Sequence, residues 1–179
     1  WSDNPAINII NHKSNKGKGA SIKSGLKLVS GDIMIIQDAD LEYNPENYNK
    51  LIDPIIKKKA TVVYGSRFIN YKPNSLISVI QLKTNQILTW LSNLSNNLKL
   101  TDMETGYKVF HKDVYSKLIL QEPRFGIEPE LTAKCSKLKA TIIEVPINYK
   151  ARSYKEGKKI NWKDGFYAIW CIFKYNRKN

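Results

Sequence analysis

Short apolar runs alternate with amphipathic stretches, and this alternation is the feature that most constrains the fold. Residues 33–36 (Ile-Met-Ile-Ile) form an apolar run that stops abruptly at Gln37-Asp38-Ala39-Asp40, as a parallel strand buried on both faces does. Residues 7–10 and 61–64 are predicted as further strands, with helices between the three. This β-α-β-α-β order predicts a parallel sheet with right-handed crossovers and with ligands at the carboxyl ends of its strands.

Further helices and strands are predicted along the rest of the chain. Asn44 and Pro45 fit the N-cap and first-turn positions of a helix that Pro54 should kink. A long apolar helix is predicted over residues 75–98, where Lys83 is the only charge. Such a helix either lies on a bilayer interface or is buried in the core or in a dimer seam. Further strands are predicted at residues 105–110 and 141–149, and further helices at residues 129–138 and 162–175.

Composition bounds the class of protein. With 179 residues, 42% of them hydrophobic and 25% charged, the chain predicts one soluble globular domain over residues 1–179. No apolar run reaches the roughly 18 residues that a membrane-spanning helix needs. The formal net charge of +13 favours anionic partners, although a lysine-rich coding bias explains it equally well. Cys135 and Cys171 form no Cys-x-x-Cys pair, which favours core thiols in a reducing compartment.

The sharpest chemical signal is a cluster of carboxylates after the buried strand. Asp38 and Asp40 stand two residues apart, and Glu42 follows them. Like charges this close are costly unless a cation is present. A hard divalent ion, Mg²⁺ or Mn²⁺, takes carboxylate and diphosphate oxygens, so the cluster predicts that metal and phosphate bind together. The alternative is that these carboxylates only cap the turn and the next helix.

Other common nucleotide-binding and catalytic patterns fail. The Walker pattern fails because His12 stands where a glycine is needed and Gly19 stands where Ser or Thr is needed. His12 and His111 form no ligand pair, and no Gly-x-Ser-x-Gly elbow is found. Aromatic residues are not interleaved with basic ones as a stacking platform requires, so no nucleic-acid partner is expected.

Five motifs, taken in order, resemble one known family. They lie at residues 15–21, 37–43, 62–68, 101–108 and 152–160, the last being Arg152-x5-Lys158-Lys159-Ile160. Together they resemble the family 2 glycosyltransferases, specifically the dolichyl-phosphate mannosyltransferase-like branch, over about residues 7–175.

The resemblance implies a fold and a reaction. The fold is α/β, a Rossmann-like nucleotide-sugar transferase fold of the A type with a mostly parallel central sheet flanked by helices. The reaction is a divalent-metal-dependent, inverting transfer of a hexose from a UDP- or GDP-linked sugar to a polyprenyl phosphate or a related glycan acceptor. The family's first strands, which hold the base and ribose, would precede Trp1, so the domain is expected to be incomplete at its N-terminus.

The resemblance also implies site residues. Asp38 and Asp40 match the metal and sugar-nucleotide aspartates, with Asp40 the more direct ligand, and Glu42 matches a position that often helps to hold the metal. Lys18 and Arg67 match substrate-binding positions, with Arg67 near the phosphates. An acidic segment beside the acceptor and a late basic loop over the diphosphate supply the remaining matches: Asp102, Glu104, Arg152, Lys158 and Lys159. Four residues are predicted to be catalytic: Asp40, Asp102, Glu104 and Arg152.

The sequence departs from the family in the stretch after the Gly-Ser-Arg motif. Many members carry several arginines there, whereas residues 79–83 contain only Lys83 as a cation. A lipid monophosphate is already largely a dianion at pH 7 and can attack without a general base. A sugar hydroxyl would instead need Asp102 or Glu104 to take its proton.

The predicted function is therefore a glycosyltransferase that is cytoplasmic and peripheral at the inner face of the membrane. Two other functions remain open at this point. A sugar-nucleotide pyrophosphorylase also uses a parallel sheet and an aspartate-bound metal, and a non-catalytic basic binding domain would account for the charge.

Overall fold

The computed structural model describes residues 4–39, 42–70, 76–149 and 162–177. Helices and strands follow one another along these segments as α1 (Lys18–Leu26), β1 (Ile33–Ile36), α2 (Tyr48–Ile56), β2 (Val62–Ser66), α3 (Leu76–Asn96), β3 (Lys108–His111), α4 (Lys112–Tyr115), α5 (Ile127–Lys137), β4 (Ile142–Pro146) and α6 (Trp162–Asn176). A 3₁₀ turn, Pro45–Asn47, leads into α2, and the side chain of Asn44 caps it by accepting the N–H of Glu46, as predicted.

The four described strands form one sheet in the order β1-β3-β2-β4. Strands β2 and β4 are parallel, whereas β3 is antiparallel to both of its neighbours. Strands β1, β2 and β4 therefore run in the same direction, as the prediction of a mostly parallel sheet requires. Strand β3 runs the other way because the chain approaches it along the edge where β2 ends, pairing Tyr64 with Lys108.

Alternating side chains divide the core between the two faces of the sheet. On one face Val63 and Val109 pack with Leu51 of α2. On the other face Val62 and Phe110 pack with Leu131 of α5. This division follows from the period of two along a strand, because the central strands β2 and β3 are buried on both sides.

Helices α3 and α6 pack together outside α5. Leu88 of α3 packs with Ala168 and Ile172 of α6 in a separate apolar cluster. The opposite face of each helix is exposed and still apolar: Ile80, Ile87, Trp90 and Leu94 on α3, and Phe166, Trp170 and Phe173 on α6. We call these seven residues the α3/α6 apolar face. Among the helices of the described segments, none is long and apolar enough to cross a bilayer.

The strand predicted at residues 7–10 is wrong. These residues are largely exposed and adopt no regular structure. They do not pair with β1, which forms one edge of the described sheet, so no ladder of hydrogen bonds stabilises an extended run there. The two cysteines, by contrast, are buried and free, as predicted.

Candidate active site

The carboxyl ends of three strands and the segment that enters β3 meet at one edge of the sheet. Asp38 follows β1 and Arg67 follows β2. The segment that enters β3, residues 105–107, is fixed to the end of β2 by two hydrogen bonds. Gly65 donates its N–H to Tyr107 O, and its carbonyl oxygen accepts a hydrogen bond from the Thr105 hydroxyl at 2.5 Å. This edge therefore brings together side chains that lie far apart in the sequence.

Asp38 is bound to an ammonium group. Lys18 Nζ lies 2.8 Å from Asp38 Oδ1 and 2.9 Å from Oδ2, and Asp38 remains 30% exposed. The same ammonium lies 2.7 Å from Glu128 Oε1. Burial alone would lower the pKa of Lys18, but Glu128 and Asp38 more than offset this and raise it.

Two glycines allow this close arrangement. A Cβ on Gly106 would stand 2.5 Å from Asp38 Oδ2 and 3.0 Å from the Tyr43 ring, so a larger residue there would displace the Asp38 carboxylate. Gly17 has φ 91° and lies against the 123–124 backbone, where a Cβ would stand 2.6 Å from Pro123 O. Lys18 therefore starts α1 from a fixed backbone position.

Glu128 is held from its other side by a buried lysine. Lys108 Nζ pairs with Glu128 Oε2, donates to Thr105 O at 2.6 Å and lies 4.7 Å from the centre of the Tyr64 ring. Lys108 is fully buried and Glu128 is 5% exposed. Charges thus alternate along a chain of four groups, Asp38, Lys18, Glu128 and Lys108.

Arg67 is fixed by Asp102. Its Nε lies 2.7 Å from Asp102 Oδ2, its Nη2 lies 2.8 Å from Oδ1, and its backbone N–H also donates to Oδ2 at 3.0 Å. Burial alone would lower the pKa of Arg67, but Asp102 raises it well above the ordinary value. Glu144 in turn accepts the backbone N–H groups of Thr101 and Asp102 at 2.7 and 2.9 Å.

Glu104 differs from Asp102 in having an uncommitted oxygen. Its Oε1 is buried and has no hydrogen-bond partner among the described residues. Burial and the nearby Glu128 carboxylate raise the pKa of Glu104 to about 7. Near neutral pH this carboxyl group can therefore carry or release a proton.

A cavity of about 580 Å³ opens beside Lys18. Three cations, Lys16, Lys18 and Arg124, line it together with one carboxylate, Asp164. Phe125 and Ile10 supply apolar surface. The cavity therefore offers both charge and an apolar surface to an anionic ligand that carries a ring.

The structure brings some of the predicted site residues together and does not describe others. Lys18 reaches Asp38, and Arg67 reaches Asp102. Glu42 is described and hydrogen-bonds with Tyr149. Four predicted residues lie outside the described ranges: Asp40, Arg152, Lys158 and Lys159. Within those ranges no three metal-ligating side chains of the His, Cys, Asp or Glu type form a group.

Three charged residues at this edge, of which Lys108 and Glu128 are buried and Glu144 is partly buried, were missed from the sequence. Lys108 interrupts the apolar run of β3, and a lysine in a buried strand needs a counter-ion, which is a signal that could have been used. Glu128 and Glu144 give no such signal, because acidic residues in a first helical turn or in a strand are commonly solvated.

Comparison with known proteins identifies the family to which this chain belongs. Residues 2–119 match the family described as "Glycosyl transferase family 2". The chain belongs to this family and is a glycosyltransferase, as the five motifs predicted.

Individual relatives lie in the predicted branch. The UDP-N-acetylglucosamine–dolichyl-phosphate N-acetylglucosaminyltransferase of Methanococcus voltae is 29% identical over 168 residues, covering 91% of this chain and 67% of the relative. The undecaprenyl-phosphate mannosyltransferase of Micrococcus luteus is 25% identical over 173 residues, covering 88% of this chain and 69% of the relative.

Solved structures support the fold. Glucosyl-3-phosphoglycerate synthase from Mycobacterium tuberculosis, in complex with Mn²⁺, UDP-glucose and phosphoglyceric acid, matches with a TM-score of 0.64 and 17% identity. The match covers 96% of this chain and 57% of that one, so the chain spans little more than half of the solved protein. At this identity the likeness confirms the predicted A-type Rossmann-like fold.

Proposed function

We propose that this domain transfers a hexose from a nucleotide sugar to a polyprenyl phosphate, with inversion and with the help of a divalent metal. The observation that carries the proposal is Asp38, whose two carboxylate oxygens bind a cation at the end of a buried strand. Hard oxygen ligands that already hold an ammonium suit Mg²⁺ or Mn²⁺. The relatives named above act on dolichyl or undecaprenyl phosphate, which supports the choice of acceptor.

In this proposal the chain's own residues bind and orient the donor. Asp38, Asp40 and Glu42 would hold the metal, which when bound offsets the negative charge of the leaving diphosphate. The cavity beside Lys18 would receive the nucleotide. Arg67 would contact phosphate through Nη1, because its contact with Asp102 uses Nε and Nη2. Arg152, Lys158 and Lys159 would add positive charge over the diphosphate.

Transfer to lipid tests the proposal directly. The full-length protein would be incubated with radiolabelled UDP-N-acetylglucosamine, UDP-glucose or GDP-mannose, with Mn²⁺ or Mg²⁺, and with undecaprenyl or dolichyl phosphate in detergent. Label extractable into organic solvent is expected with at least one donor. Asp40→Asn and Asp38→Asn should each reduce the rate by at least about a hundredfold. Asp53→Asn, a half-exposed carboxylate on α2, is the matched control. Failure to label any lipid, or full activity in Asp40→Asn, would contradict the proposal.

Glu104 favours a second candidate acceptor, a sugar hydroxyl. Such an acceptor needs a base, and Asp102 is already committed to Arg67 by three contacts. Glu104, whose pKa is raised to about 7, suits that role better. With a phosphate acceptor, Glu104→Gln should lower the single-turnover rate by less than about tenfold and Arg152→Ala should lower it more. A far larger loss in Glu104→Gln would favour the hydroxyl.

We also propose that the protein docks on the cytoplasmic face of a membrane through the α3/α6 apolar face. Trp90 is 62% exposed and Leu94 is 71% exposed on this face. Aromatic and aliphatic side chains on an amphipathic surface insert at headgroup depth, and a net charge of +13 favours anionic lipid. Helix α3 also contributes to the core, since Leu88 on its inner side is only 7% exposed.

Flotation with vesicles of phosphatidylglycerol and phosphatidylcholine tests this docking. Leu94→Glu and Ile87→Glu should reduce vesicle binding because they place charge on the α3/α6 apolar face. Ile56→Glu is the control, because Ile56 is 64% exposed on α2, which covers the opposite face of the sheet. Equal flotation of Leu94→Glu and the wild type would contradict the proposal.

A further inference from the structure

Lys18 and an incoming divalent cation compete for the same oxygens. The Lys18 ammonium occupies both Oδ1 and Oδ2 of Asp38, at 2.8 and 2.9 Å. A metal ion cannot bind this carboxylate directly while the ammonium stays there, because two cations would share one anion at contact distance. Binding of the metal therefore requires that Lys18 release Asp38.

The backbone of Lys18 is fixed, so the side chain alone makes this movement. Ala20 donates its N–H to Pro123 O at 2.9 Å. A Cβ on Gly19 would stand 2.1 Å from Glu122 O, which shows how closely α1 begins against this segment. The flexible four-carbon stem of lysine allows its ammonium to change partners while the helix stays in place.

Glu128 keeps the ammonium near the site during this change. It lies 2.7 Å from Lys18 Nζ, and its other oxygen is held by the fully buried Lys108. An ammonium has three N–H donors. One can stay with Glu128 while the others pass from Asp38 to a new anion. Lys18 also lines the cationic cavity, so an anion bound there lies within its reach.

We propose that Lys18 couples metal binding to donor binding: it holds Asp38 until a nucleotide diphosphate offers its ammonium another anion, and the metal then binds. This inference rests on the proposed function, because it takes Asp38 as a metal ligand and the cavity as the donor site. By linkage, the nucleotide raises the affinity for metal and the metal raises the affinity for nucleotide by the same factor.

Binding of Mn²⁺ alone tests the coupling without any measurement of activity. Free Mn²⁺ would be followed by electron paramagnetic resonance in titrations of the full-length protein, with and without UDP or GDP. Titrations of each nucleotide without protein give the Mn²⁺ that the nucleotide binds by itself, which is subtracted. The wild type should bind Mn²⁺ weakly alone and at least about tenfold more tightly with one of the nucleotides. Lys18→Met should bind Mn²⁺ alone about tenfold more tightly than the wild type, and nucleotide should raise its affinity for Mn²⁺ by a smaller factor than in the wild type. The part of the increase that remains comes from direct ligation of Mn²⁺ by the diphosphate.

Two further variants make the result specific. Lys27→Met removes the same charge from the exposed C-terminal end of the same helix. It lies about 13 Å along the helix axis from Lys18, so at 0.1 M salt its effect on Asp38 is screened. Lys18→Gln removes the charge but keeps a hydrogen-bonding side chain, and it replaces Lys18→Met if that variant unfolds. Lys27→Met should behave as the wild type does.

The outcomes separate the inference from the proposed function. If the wild type binds Mn²⁺ with UDP or GDP but neither Lys18 variant binds Mn²⁺ alone more tightly, the coupling is wrong and the metal site stands. Equal tightening in Lys27→Met would show a general charge effect and would also overturn the coupling. If the wild type binds no Mn²⁺ under any of these conditions, both the metal-dependent function and the coupling fail.

Discussion

The buried ion pair between Lys108 and Glu128 should dominate the stability of this edge of the sheet. Glu128→Gln removes a carboxylate that faces two ammonium groups, Lys108 on one oxygen and Lys18 on the other. Lys108 is fully buried, so the loss of its counter-ion leaves an uncompensated charge in the core. Removal of one partner of such a pair costs about 3–5 kcal/mol. With a urea m-value of about 2–3 kcal/mol/M, the midpoint should fall by about 1–2.5 M.

Lys108→Met should cost less than Glu128→Gln. Glu128 then keeps its ion pair with Lys18, and methionine fills much of the volume of the lysine stem. We expect a loss of about 2 kcal/mol from the charged hydrogen bonds that disappear. In the double variant neither charge remains, so the two effects should not add, and the coupling energy should be about 1–3 kcal/mol.

Urea unfolding of the four proteins at pH 7 measures this cycle, and the exposed pair Lys57–Asp53 gives the control. Lys57 and Asp53 are half exposed at a distance of 2.9 Å, so Lys57→Met should cost less than about 1 kcal/mol. The reasoning would be refuted if Glu128→Gln cost no more than Lys57→Met, or if the Lys108 and Glu128 effects were additive.

The same pair gives a pH dependence with a defined sign. Burial alone would raise the pKa of Glu128, but Lys108 and Lys18 more than offset this and lower it. The unfolded chain then binds more protons in the window between the two pKa values, so stability rises with pH through that window. The stabilisation is complete above the ordinary carboxyl pKa of about 4.3 and is lost as the pH falls through the lower, folded value.

Three further predictions concern the neighbouring residues. The pKa of Glu104 is raised to about 7, so its contribution to stability falls as pH rises from about 4.3 to about 7. In urea unfolding, the free energy of unfolding of Glu104→Gln should therefore rise relative to that of the wild type by up to about 1.4 kcal/mol per pH unit over this range. A Cβ on Gly106 would stand 2.5 Å from Asp38 Oδ2, so Gly106→Ala should weaken Mn²⁺-dependent nucleotide binding by at least about tenfold in calorimetry. Asp102→Asn leaves Arg67 buried without its anion and should lower the Tm by roughly 6–12 °C in a thermal scan.

One outcome would contradict each of these three predictions. A difference between Glu104→Gln and the wild type that does not change with pH would show that the folded state does not perturb this carboxyl. Unchanged nucleotide affinity in Gly106→Ala would show that Asp38 can move aside at no cost. A Tm within about 2 °C of the wild type in Asp102→Asn would mean that water or another anion satisfies Arg67.

Local pattern was enough to predict most elements and several site residues. The apolar run of β1 is bounded by polar residues on both sides, and Asp38 stands two residues after its end, so both the strand and the carboxylate beyond it were predicted. The direction of β3 in the sheet could not be predicted from the sequence. The pattern of β3 indicates a strand, but a period of two carries no information on whether it runs with or against its neighbours.

Pairings between distant segments could not be predicted. Arg67 and Asp102 were both candidates, yet nothing in the sequence indicates that all three contacts of Arg67 fall on one carboxylate 35 residues away. The prediction of Asp102 as a catalytic residue therefore did not foresee its commitment to Arg67. The strand prediction for residues 7–10 was wrong for a related reason, because an apolar run forms a strand only where a neighbouring strand can hydrogen-bond to it.

The strand order β1-β3-β2-β4 also determines when the strands can pair during synthesis on the ribosome. Strand β3 lies between β1 and β2 and bonds to both, so neither of them has its central neighbour when it is made. Roughly seventy residues separate Ile36 from its partner Lys108, which at 5–20 residues per second is a delay of about 4–14 s. During that interval the edges of β1 and β2 that bond to β3 stay unpaired, and the nascent chain depends on chaperones or on docking of its helices to avoid association with other chains.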